Sequence, residues 1–101
     1  MPARISPLDV DLAARVAELL SAFGDPNRVR ILWVLIQGEI SVGRLAEAVE
    51  MTVSAVSHHL RQLRLQRLVQ ARRDGRQVFY CVNDDHIVAL LQQTVRHVQH
   101  S

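Results

Sequence analysis

Between Ser41 and Leu63 two helix-like stretches follow one another with only a few residues between them, and so short a connection restricts how the chain can fold. Ser41 is placed to cap a helix over Val42–Val49 that carries Leu45, Ala46 and Val49 on one side. The next helix begins after Thr52 or Ser54 and is longer and basic. Two helices so closely joined have the shape of a helix-turn-helix. The following residues narrow the choice. Leu68–Arg72 and Gln77–Val82 read as strands on either side of Arg73-Asp74-Gly75-Arg76, where Asp-Gly favours a tight turn with positive φ. A hairpin with arginine at its tip, directly after a helix-turn-helix, is a winged helix.

The flanking sequence is helical. Leu12, Val16, Leu19 and Leu20 recur on one helical face that Gly24 closes, and Asp25-Pro26 is an N-cap followed by proline at the first helical position. That second helix turns Val29, Leu32, Leu35 and Ile36 inward and ends at Gly38. Asn83, Asp84 and Asp85 lead into a last helix that runs almost to the C-terminus. The expected fold is mainly α with a β-hairpin wing, one domain over residues 1–101, since 101 residues accommodate a single core. No apolar run approaches about 18 residues and the N-terminus lacks a signal h-region, so no membrane association and a cytoplasmic location are expected. Cys81 is the lone cysteine, which excludes an internal disulfide or a multi-thiolate metal site within one chain; it reads as a small semi-buried hydrophobe on a wing strand.

Charge is informative in its distribution. All 12 basic residues are Arg, whose planar fork suits phosphate and guanine, although genomic base composition can also favour Arg over Lys. Residues 41–82 hold seven Arg against three acids, a net +4, while the remainder carries −2. A basic middle flanked by acidic ends is the footprint of a nucleic-acid partner. Within it, a helical rotation of roughly 100° per residue puts Ser54, Ser57, His58 and Arg61 on one face of the second helix of the pair. Val53, Val56, Leu60 and Leu63 fall opposite, so the helix can rest on a core while offering hydroxyl, imidazole and guanidinium groups to a major groove. Arg73 and Arg76, at the hairpin tip, are candidates for phosphate or minor-groove contacts.

The segments "GDPNRVRILWVL", "SVGRLAEAVEMTVSAVSHHLRQLRLQRLV" and "RRDGRQVFYCV" together resemble the ArsR/SmtB family of bacterial metal-responsive repressors, over nearly the whole chain. Ser54 to Leu63 is similar to the family's S-x-V-S-H-x-L-x-x-L recognition helix. The resemblance implies a homodimeric winged-helix repressor, joined through its terminal helices, that leaves double-stranded operator DNA when an inducer binds.

The histidines indicate the kind of inducer. His58 and His59 are adjacent, point about 100° apart and cannot chelate together; His58 belongs to the DNA face and His59 reads as a partly exposed filler. His97 and His100 share one face of the last helix, a frequent arrangement for two ligands of one metal, although a chance pair of exposed C-terminal histidines has the same spacing. Asp84 and His86 open the same helix, about 16 Å away along its axis, too far for one ion to span. An antiparallel second copy removes the difficulty: a twofold axis sets Asp84 and His86 of one chain beside His97 and His100 of the other, giving two four-ligand sites per dimer. Ile87, Leu90, Leu91 and Val98 form an apolar stripe that such a dimer can bury.

The pattern D-x-H-x10-H-x2-H resembles the family's zinc or cobalt site on the C-terminal helix, matching at all four positions. The C-x-C element of the arsenic, cadmium and lead sensors is absent, its place taken by "LAEAVE", and Met1–Asp11 lacks the histidines that nickel sensors recruit. Three nitrogens and one carboxylate favour tetrahedral Zn(II), with Co(II) as substitute. A site filled by four protein ligands has no open position for substrate water, so an enzyme is not expected. A repressor of the same fold answering a non-metal signal, and a winged-helix protein-interaction module, are the alternative readings.

Overall fold

Side chains that cap helix ends set the boundaries of this chain. The computed structural model describes residues 4–100, so residues 1–3 and 101 of the expected domain lie outside it. Asp9 accepts from Leu12 N–H to open α1 (Val10–Ser21), and Asp25 accepts from Asn27 N–H to open α2 (Pro26–Leu35), with proline in its first turn. Ser41 and Thr52 do the same for α3 (Val42–Val49) and α4 (Val53–Leu65), accepting from Arg44 and Ala55 N–H groups. Each cap satisfies a backbone donor that the helix itself leaves unpaired.

The wing differs from its sequence reading by two residues. β2 spans Gln70–Asp74 and β3 spans Gln77–Cys81, paired antiparallel with Asp74 opposite Gln77. The loop is therefore Gly75-Arg76, and Arg73 lies in the strand instead of at the tip. Gly75 has φ 63° at the first of the two loop positions, as a type II′ turn requires, so the Asp-Gly signal located the turn correctly. A strand the sequence did not indicate, β1 (Ile40–Ser41), pairs with the far edge of β3 and gives the order β1-β3-β2. Two residues are too few to show a periodicity.

The core gathers one side of each central element: Ile31, Leu32 and Leu35 of α2, Leu45, Ala46 and Val49 of α3, Val56, Leu60 and Leu63 of α4, then Leu68 and Val69. The last helix, α5 (Asp85–Gln99), adds Ile87 and Leu91. Val53, expected inward, is 52% exposed; it is the first residue of α4, one turn before the buried Val56. The outer helices are only partly used. α1 contributes no buried residue, and its Leu12, Val16 and Leu20 are exposed, as are Leu90 and Val98 of α5. A cleft of about 430 Å³ lies between them, lined by Leu20, Phe23, Val29, Leu91 and Val95 among others. The described chain measures 61 × 31 × 21 Å with a radius of gyration of 16.1 Å, against roughly 13 Å for a compact chain of this length. Among the described residues no helix is long and apolar enough to cross a membrane.

Candidate nucleic-acid interface and metal-ligand helix

α4 is divided as a groove-reading helix must be. Val56, Leu60 and Leu63 are fully buried, whereas Ser54, His58 and Arg61 are exposed and Ser57 is half-buried on the same side. The structure brings these four together on one face, as the sequence implies. Arg73 and Arg76 are both exposed on the wing, Arg76 in the turn itself.

The apolar side that seats α4 was legible in the sequence, but the side-chain hydrogen bonds around it and at the end of α3 were not. Arg30, on α2, donates to the Val49 carbonyl at 2.9 Å and so caps the C-terminus of α3, where Glu50 turns the chain with φ 57° and ψ 45°. Arg28 donates to Gln62 Oε1 at 3.3 Å, and Gln66 donates to the Glu18 carbonyl of α1 at 3.4 Å. The C-terminal end of α4 is thus tied by side chains to α1 and α2. His59 is half-buried, and its Nδ1, like Arg28 Nε and Gln66 Oε1, is buried without a hydrogen-bond partner. Long polar side chains in a basic sequence read as solvated, and no spacing rule marks those that turn inward.

α5 carries the candidate metal ligands as two separate pairs. Asp84 is its N-cap, and its Oδ1 lies 3.4 Å from His86 Nδ1. Near the other end His97 and His100 line one shallow depression with Gln93 and Arg96. All four residues are exposed. Among the described residues no three His, Cys, Asp or Glu side chains of one chain converge on a common point. The two candidate pairs therefore stay apart within one chain, as the 11-residue spacing between His86 and His97 requires; imidazole and carboxylate are donor types that a borderline cation such as zinc accepts. Cys81, on β3, is half-buried.

The family model for bacterial regulatory proteins of the arsR family matches residues 25–71. A transcriptional repressor SmtB homolog from Synechocystis sp. is 44% identical over 94 residues, spanning 93% of this chain and 71% of that protein. A cadmium resistance transcriptional regulatory protein, a CadC homolog from Staphylococcus aureus, is 32% identical over 96 residues, 94% of this chain and 74% of that one. Among solved structures, a homodimeric winged helix-turn-helix DNA-binding domain from Mycobacterium bovis superimposes with a TM-score of 0.82 at 28% identity, covering 97% of this chain and 91% of the other.

Proposed function

The chain belongs to the arsR family of bacterial regulatory proteins, a family of transcriptional regulators and not of enzymes, and on that premise we propose that it is a homodimeric repressor released from its operator by Zn(II), with Co(II) as an alternative. The observation that carries the DNA-binding reading is the division of α4, with a fully buried apolar side beneath an exposed Ser54, Ser57, His58 and Arg61 face. Those groups read base edges in the major groove, while Arg73 and Arg76 neutralise phosphates or enter the minor groove.

The exposed apolar faces of α1 and α5 and the elongated shape support a second copy as the missing cover. A twofold pairing of these helices buries Leu12, Val16, Leu20, Leu90 and Val98 together. It also sets Asp84 and His86 of one protomer beside His97 and His100 of the partner subunit. These four side chains would hold the ion. When bound, zinc would supply a structural cross-link held by protein nitrogen and oxygen donors. The four candidate ligands belong to α5 and its caps and not to α4, so their effect on DNA would be a bias between two dimer arrangements, with coupling of about 1–3 kcal/mol.

A zinc titration of a labelled operator complex, followed by fluorescence anisotropy, tests the reading, together with the visible spectrum of the Co(II)-loaded protein. The expected results are loss of anisotropy at two ions per dimer and intense tetrahedral bands. Salt-dependent DNA binding without a metal response would leave a repressor of another signal, and no DNA binding would leave a protein-interaction module.

A further inference from the structure

Arg72 is one of the seven arginines of the basic stretch, yet its guanidinium is already engaged. It sits in the middle of β2, donates from Nε to Glu39 Oε2 at 3.2 Å and from a terminal nitrogen to Glu39 Oε1 at 2.7 Å, and lies 4.9 Å from the centre of the Phe79 ring. The register explains how one side chain reaches so far. Arg72 is opposite Phe79, and Phe79 is opposite Ser41, so the three stand on one rung of the sheet and share a face. Glu39 precedes Ser41 by two residues and so returns to that face. The arginine therefore crosses over β3 and joins the outermost strand to the residue just before β1.

That position links two working parts. Ser41 is the N-cap of α3, the first helix of the helix-turn-helix, and β2 carries Arg73 and leads to Arg76. Besides this bridge, β3 is held to the body by two residue pairs with β1, by contacts with α3 and by Tyr80 against the core, whereas Arg72 reaches from the outer strand β2. A two-stranded hairpin is marginal by itself, and its angle to the body depends on such attachments. An exposed ion pair is ordinarily weak, but a two-pronged arginine–carboxylate bond on an aromatic face is geometrically restrictive in a way a single hydrogen bond is not. Both partners are shifted in agreement: the bond to Arg72 holds the Glu39 carboxyl below the usual carboxylate range, and the same bond raises Arg72 further.

We propose that Glu39 and Arg72, seated on Phe79, are positioning residues that fix the wing against the helix-turn-helix, so that an acidic side chain promotes the binding of a polyanion. The proposal rests on the DNA-binding reading above and adds a sign to it. Simple electrostatics requires that removing the Glu39 charge strengthen DNA binding, because a negative group leaves a basic surface and a guanidinium is freed. Positioning requires the reverse.

The test uses full-length Glu39→Gln and Arg72→Lys proteins and a duplex selected by the wild type from a random-sequence pool. Both variants are expected to bind it roughly tenfold more weakly at fixed salt, an effect comparable to that of a single good base interaction, with the dependence on salt unchanged. A Glu39→Gln protein that binds as tightly as wild type, or more tightly, overturns the proposal. A second measurement needs no DNA: amide order parameters at Arg73, Gly75 and Arg76 should fall toward about 0.6 in Glu39→Gln while those of α4 hold. An equally rigid wing in the variant also overturns it. If the wild type selects no duplex, the DNA-binding reading fails and the order parameters still decide whether the clamp holds the wing.

Discussion

Asp84 meets His86 twice, its Oδ1 lying 2.8 Å from the backbone nitrogen of His86 and 3.4 Å from the imidazole Nδ1 of the same residue. The carboxylate that caps α5 thus also stands beside His86 as a candidate metal ligand in its own right. Removing it removes both effects, so Asp84→Ala cannot separate them. Asn is as good an N-cap as Asp. Asp84→Asn should therefore unfold at the wild-type temperature as apoprotein yet lose tight Co(II) binding. Asp84→Ala should lose the metal and about 1 kcal/mol of stability as well. Thermal unfolding beside a Co(II) absorption titration gives both readings, and an Asn variant that keeps full affinity would remove the carboxylate from the site.

Ser57→Ala with His58→Ala should abolish operator binding while the dimer and its melting temperature are kept. His58 is exposed, Ser57 is half-buried, and neither belongs to the buried set of Val56, Leu60 and Leu63. Each good base contact is worth about 1–3 kcal/mol. Anisotropy with a labelled operator, alongside sedimentation for the dimer, decides it; wild-type affinity in the double variant would refute the recognition face.

Arg73→Ala with Arg76→Ala should have a different signature. If these side chains meet phosphates, binding weakens on all sequences alike, and the slope of log K against log salt falls by roughly 0.9 for each phosphate interaction removed. A change in sequence preference at constant slope would instead assign them to base edges. Arg73 lies within β2 and Arg76 in the turn, so single variants should show which of the two reaches the duplex.

The wing clamp carries a pH dependence whose direction is fixed by Glu39. Its folded pKa is lowered by the hydrogen bonds from Arg72, while Asp74 lies 3.9 Å from the same guanidinium as a weaker second partner. A depressed carboxyl contributes fully above its unfolded pKa and loses that contribution as pH falls through the folded value. The clamp should consequently persist at neutral pH and open only in acid, below the ordinary glutamate range. A carboxyl-carbon NMR titration of Glu39 should have its midpoint below the ordinary glutamate value in wild type and move up in Arg72→Lys.

Local signals read well in this sequence, and long-range ones did not. Asp25-Pro26, Ser41 and Asp74-Gly75 each act on their immediate neighbours, and the structure uses each one where the spacing places it. Gly24 and Gly38 misled as terminators: α1 and α2 end at Ser21 and Leu35, and only Gly38 has a positive φ, of 155°. The left-handed turns that matter fall on Glu50 and Arg67, residues with no such preference, so composition gave no warning of them. The site shows the same division. One face of α4 follows from helical rotation, but Arg30 on the Val49 carbonyl and Arg72 on Glu39 join residues 19 and 33 positions apart. Such pairs depend on how elements pack, which a linear pattern does not contain.

The candidate ligand pairs on α5 yield the strictest prediction, because two pairs so far apart on one helix could complete a proposed four-ligand site only across two chains. His97→Ala should leave DNA binding of the apoprotein near wild type, since the residue is exposed and far in sequence from α4, and should lose most of the zinc response. Linkage adds a requirement: if zinc lowers operator affinity, operator must lower zinc affinity by the same factor. The bridging arrangement itself is tested by mixing lesions. A homodimer of Asp84→Ala/His86→Ala chains, or of His97→Ala/His100→Ala chains, has two damaged sites. A mixed dimer with one chain of each kind gathers all four lesions into one site and restores the other, so it should bind one zinc tightly where the wild type binds two. Tandem affinity tags isolate that species and a chelator competition counts its metal. A mixed dimer with no tight zinc, beside a wild type that binds two, would mean that the two pairs never meet across the interface.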